Sequence, residues 1–146
     1  MEVAIARESL ALEPKDLLAG LYMASAKRVS KFWNHSSAFG RLVNGQPGVR
    51  EIISAYRKGE FPSPADREQI TLRRGFVPFS PDTTRIIGTA RHFGASRPGD
   101  SAGEPPVLAP EDLLLALAKH TDLDIGQRLV ASGLDVSRLE KAVRTL

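Results

Sequence analysis

Gly99-Asp100-Ser101-Ala102-Gly103 matches the Gly-x-Ser-x-Gly pattern. In that pattern a strained strand-to-helix turn exposes a nucleophilic serine. His35, His92 and His120 are the three imidazoles that a hydrolase could use as its base. The surroundings argue against this chemistry. Pro98 precedes the motif, Pro105-Pro106 follow it, and no strand pattern leads into it. Small residues in a Pro/Gly-rich loop produce such matches by composition alone. Ser101 is therefore read as a loop residue, and the chain as no enzyme. A metal site is not indicated either. No histidine pair has His-Glu-x-x-His spacing, and the chain has no cysteine. No cofactor is expected.

Two other groups of residues could recognise a partner. Phe32 and Trp33, the only tryptophan, lie among Lys27, Arg28 and Lys31. Exposed, an aromatic pair among cations suits a protein-binding hot spot or a base-stacking surface. The alternative is that Trp33 folds back over the core. The second group is the charged pair opening each of two Leu-rich helices, Lys15-Asp16 and Glu111-Asp112. Arg73-Arg74 reads as a solvated pair.

The elements that position these residues are helical. Pro14 opens a helix carrying Leu17, Leu18, Leu21 and Tyr22 on one face. Phe39, Leu42 and Val43 form a second stripe that Asn44-Gly45 can end. A third follows Pro47 with Val49, Ile52, Ile53 and Tyr56, up to Gly59. Prolines 62, 64 and 78 and Gly75 make residues 60–79 a connector. Ser80-Pro81-Asp82 is a strong helix start, followed by Ile86, Ile87, Ala90 and Phe93. Residues 96–106 form a loop by composition. Pro110 then opens a helix with Leu113, Leu114, Leu115 and Leu117. Asp124 and Asp135 are expected to cap two more, with Gly133 between them. No segment alternates like a strand. The fold class is all-α, about seven or eight short helices.

Residues 12–21 align with 108–117, and six of the ten positions are identical. Arg41-Leu42-Val43 similarly matches Arg128-Leu129-Val130, and each leads through a glycine turn into another amphipathic helix. This spacing exceeds the 20–50 residues of solenoid repeats. It predicts a single domain over 1–146 made of two pseudo-twofold-related repeats, about 1–59 and about 80–146.

The second half also resembles a known family. Phe79-Ser80-Pro81, Ala90, Pro110-Glu111-Asp112-Leu113-Leu114-Leu115-Ala116-Leu117, Leu129, Gly133-Leu134-Asp135 and Leu139 follow in the order of the second repeat of the Clp N-terminal (Clp repeat) domain. The resemblance covers about Ala4 to Leu146. It implies a module that captures substrate polypeptides or adaptor proteins for a Clp-type AAA+ unfoldase, in a chaperone or proteolysis role. The chain has no Gly-x-x-x-x-Gly-Lys-Ser/Thr loop for a nucleotide, so it is not the motor. It is expected to be a stand-alone relative or part of a longer protein. Some members of the family bind a modified arginine of the substrate through the glutamate of a Glu-His pair. That pair reads Lys15-Asp16 in the first half and Glu111-Asp112 in the second, so only Glu111 keeps the carboxylate. The alternative for Lys15 and Glu111 is a first-turn surface position. Partner contacts are expected at Lys15, Asp16, Glu111 and Asp112, extending to Phe32 and Trp33.

Composition sets the outer limits. The chain has 146 residues, 42% hydrophobic and 25% charged, which is ample for one folded core. No apolar run approaches membrane-spanning length, and the N-terminus lacks a secretory pattern. A cytoplasmic location is the expectation. A net charge of +3 and a pI near 9.5 leave a helical nucleic-acid-binding protein as the alternative, using the basic and aromatic residues near Trp33. No dominant basic face stands out, so nucleic acid is the less expected partner.

Overall fold

The computed structural model describes residues 11–35, 37–59, 78–97 and 107–146. The first ten residues, nearly all of the connector, most of the loop around Ser101, and Arg73-Arg74 lie outside these residues. The described residues form seven α-helices and no strand. They are α1 (Pro14–Val29), α2 (Ala38–Asn44), α3 (Val49–Arg57), α4 (Pro81–Ala95), α5 (Pro110–Lys119), α6 (Asp124–Ala131) and α7 (Val136–Arg144). The all-α expectation holds, and each of these helices falls on a stretch that the sequence marks as helical.

Local chemistry explains the helix starts. Pro14 and Pro110 occupy the first turns of α1 and α5, where no amide donor is lost. Three positions after each cap, an aspartate reaches back to the cap amide. Glu13 N–H donates to Asp16 Oδ2 at 2.8 Å, and Ala109 N–H to Asp112 Oδ2 at 2.9 Å. The repeated Pro-x-Asp therefore builds the same helix start twice. Ser80 caps α4 by accepting from Thr83 N–H at 3.2 Å, and Asp135 caps α7 by accepting from Arg138 N–H at 3.0 Å. At α6 the residue expected as the cap, Asp124, lies inside the first turn, and Leu123 takes the cap position. There Asp124 pairs with Arg128 at 2.7 Å instead.

The core is organised around α5. Leu114, Leu115, Ala116, Leu117 and Ala118 are all buried, as are Glu111 and Asp112. A helix apolar on nearly every side must be surrounded, and α1, α4, α6 and α7 pack around it. Small residues permit the closest approach. A Cβ on Gly126 of α6 would lie 2.2 Å from the His120 carbonyl oxygen and 2.8 Å from that of Leu117. Only glycine lets α6 sit against the end of α5.

Two isolated bridges join distant parts of the chain. Leu12 pairs with Phe79, and Thr83 Oγ1 donates to the Leu12 carbonyl at 2.7 Å. Trp33 pairs with Leu134, and Asp135 N–H donates to the Phe32 carbonyl at 2.9 Å.

The expected aromatic binding extension is corrected here. After α1 the chain tightens into a 3-10 turn, Ser30–Phe32, which swings both aromatics inward. Phe32 and Trp33 are 2% and 5% exposed. Trp33 stacks on Phe39 at 4.8 Å, and its indole N–H donates to Ser132 Oγ at 2.8 Å. With a polar partner for the N–H and an aromatic face for the ring, Trp33 is fully engaged inside the fold.

Candidate functional site

Glu111 is the second residue of α5, and its side chain is only 3% exposed. Arg28, in the last turn of α1, reaches it from the neighbouring helix. Arg28 Nε donates to Glu111 Oε1 at 2.6 Å, and the arginine side chain stays 49% exposed. The other carboxylate oxygen, Oε2, is buried with no hydrogen-bond partner. Position in the first turn favours the negative charge through the helix dipole. A buried carboxylate oxygen without a donor remains costly.

The adjacent carboxylate is fully satisfied. Asp112, completely buried, receives both arms of Arg97 from just beyond α4, at 2.5 and 2.9 Å. Arg97 also donates to the Val107 carbonyl at 3.1 Å. Asp112 thus caps α5 and clamps α4 against it. Two arginines, Arg28 from α1 and Arg97 from the bend after α4, balance the paired acids at the head of α5.

The six expected contact residues therefore separate. Glu111 alone combines burial with an open valence. Asp112 and Asp16 are buried cap residues whose carboxylates bind their own chain. A direct contact to a partner at these two is corrected on that ground. Lys15 is part-exposed and sits 3.4 Å from Glu13. Phe32 and Trp33 belong to the core. The first-turn surface position considered for Glu111 is also corrected: tertiary packing of α1 covers it.

Sequence reading missed Arg28 and Arg97 as partners of the acids. Arg28 precedes Glu111 by 83 residues, and no local pattern encodes that pairing. Of the histidines, His120 Nε2 lies 2.9 Å from Thr89 Oγ1, while His35 and His92 are exposed. Among the described residues no three His, Asp or Glu side chains converge in a way that could hold a metal ion, and no helix is long and apolar enough to cross a membrane. Comparison with protein-family models, with curated proteins and with solved structures finds no match.

Proposed function

We propose that this chain is a non-catalytic protein-recognition module that takes an arginine-like side chain of its partner at Glu111. The observation that carries this reading is the half-satisfied carboxylate. One oxygen holds a guanidinium of the chain itself, and the other is buried without a donor. Arg28 offers only its Nε, whereas a guanidinium entering end-on can give two parallel N–H bonds to both oxygens. Arg28 is half-exposed at a helix end, so it can swing into solvent without opening the core. It acts as a place-holder that a better-aligned arginine displaces. The mechanism is reversible binding, with no covalent step.

The resemblance to Clp N-terminal domains supplies the larger role. The partner is a substrate polypeptide or adaptor protein delivered to a Clp-type unfoldase, in the cytoplasm. The two Pro-x-Asp-Leu-Leu starts support a duplicated origin, in which only the second copy keeps an acid beside the aspartate.

The test is fluorescence anisotropy with a labelled arginine-containing peptide and its lysine counterpart. R28A is expected to bind the arginine peptide several-fold tighter than the parent, because the internal competitor is gone. E111Q is expected to lose binding while keeping its helical circular dichroism. Equal affinity of parent, R28A and E111Q would sink the proposal, as would equal affinity for the lysine peptide.

A further inference from the structure

A second surface carries a different chemistry. Helices α2 and α3 meet through the turn at Gly45–Gly48 and leave an open groove of about 690 Å³ between them. Its rim holds Arg41 and Asn44 from α2, and Arg50, Ser54, Arg57 and Lys58 from α3 and its end. Spacing explains the convergence. Positions 41 and 44, and positions 50, 54, 57 and 58, each share one helical face. All six side chains are exposed.

The charge is one-sided. Between Arg41 and Lys58 the sequence has four cations and one acid, Glu51, an excess equal to the net +3 of the whole chain. Glu51 lines an adjoining smaller hollow and not the groove itself. Among the described residues, Arg41, Arg50 and Lys58 form no ion pair. Elsewhere Arg28, Arg85, Arg97 and Arg128 face carboxylates, while Arg138 donates to the Lys31 carbonyl at 2.9 Å. The groove differs in gathering its unmatched cations around one concavity. Arg57 is held in place rather than neutralised. Its Nη2 donates to the Tyr22 hydroxyl at 2.7 Å, and its guanidinium lies 5.4 Å from the centre of that ring. The basic face that the sequence reading did not find is therefore here, away from Trp33.

We infer that the α2–α3 groove binds a run of phosphate groups, as in a linear polyphosphate or a nucleic-acid backbone. Unmatched like charges around one concavity raise the local potential and draw in a polyanion. Three of the four cations are arginines, whose planar forks match phosphate oxygens in pairs. Asn44 and Ser54 add neutral donors. The rim side chains are thus cationic or neutral hydrogen-bond donors, which suit phosphate oxygens. This inference is independent of the Glu111 reading, because none of its residues touches Arg28 or Glu111.

The test uses a fluorescein-labelled single-stranded oligonucleotide, with long-chain polyphosphate and poly-glutamate as competitors. The parent is compared with R50E/K58E in the groove and with K141E/R144E on α7, which makes the same change in net charge elsewhere. With four phosphate contacts, log K should fall against log[salt] with a slope of about −3, and of about −1.4 when two contacts are lost. Loss confined to R50E/K58E, with polyphosphate competing, supports the groove. Whichever of oligonucleotide and polyphosphate binds tighter per phosphate names the source. The inference is overturned by no binding at low salt, by equal loss in the α7 variant, or by poly-glutamate competing as well as polyphosphate.

Discussion

Replacing Arg28 with methionine isolates the energy of the Arg28–Glu111 pair. Methionine keeps much of the apolar stem, so the perturbation is the lost guanidinium. Removing one partner of a fully buried pair costs about 3–5 kcal/mol, whereas exposed pairs are worth about 0–1 kcal/mol. Here the carboxylate is 3% exposed and the arginine 49%. Water can follow into the space that Arg28 leaves, which places the loss between those limits, at about 2 kcal/mol. For a chain of 146 residues, that corresponds to a fall of roughly 6 °C in Tm. The sign of a second measurement is more informative. R28M leaves a buried carboxylate with no donor, and R28M/E111L removes that carboxylate too. The double variant should therefore be more stable than R28M alone. Urea unfolding with matched m-values reads both quantities. If R28M lies within about 0.5 kcal/mol of the parent, the pair behaves as a surface contact. That result, or a double variant no better than the single one, would refute the burial argument.

Two further outcomes follow from the packing and the charges. G126A should lower stability by about 2–3 kcal/mol in thermal unfolding, because its Cβ overlaps backbone carbonyls that no rotamer change can move. G88A, with open space around it in α4, should gain up to about 1 kcal/mol from helix propensity, and a G126A variant as stable as G88A would contradict the close α5–α6 approach. Asp122 is held below the ordinary aspartate pKa, chiefly by its hydrogen bond from Arg85 at 2.7 Å. A depressed carboxylate stabilises the fold above its unfolded pKa, and that contribution disappears as pH falls through the folded value. Carboxyl NMR titration should show Asp122 titrating low in the parent and returning to the ordinary range in R85Q. An unchanged Asp122 titration in R85Q would remove Arg85 as the cause.

Much of the fold was legible because its signals are local. Pro14, Pro81 and Pro110, the serine and aspartate caps, and the apolar stripes act within one or two turns, and they placed seven helices. Gly133, at φ 90°, ended α6 where the sequence put a stop, since that backbone angle suits a residue without a Cβ. The cap at Asp124 shifted by one residue: Leu123 takes the cap position, and Asp124, in the first turn, pairs with Arg128 instead.

The site was less legible. Sequence alone picked out Glu111 and the doubled Pro-x-Asp-Leu-Leu start, and it identified Phe32 and Trp33 as unusual without settling which way they face. Burial is not a property of a residue's neighbours in sequence. A 3-10 turn and the ring of Phe39 turned the aromatics inward, and packing of α1 against α5 covered Glu111 and delivered Arg28 to it. The four cations of the α2–α3 groove had helical spacing all along. Only the angle between two short helices brought them around one hollow. Capping and periodicity are decided within a few residues, so the sequence by itself determined the helices. Which charges are matched and which are left facing solvent depends on contacts between helices far apart in the chain, and only the tertiary structure decided that.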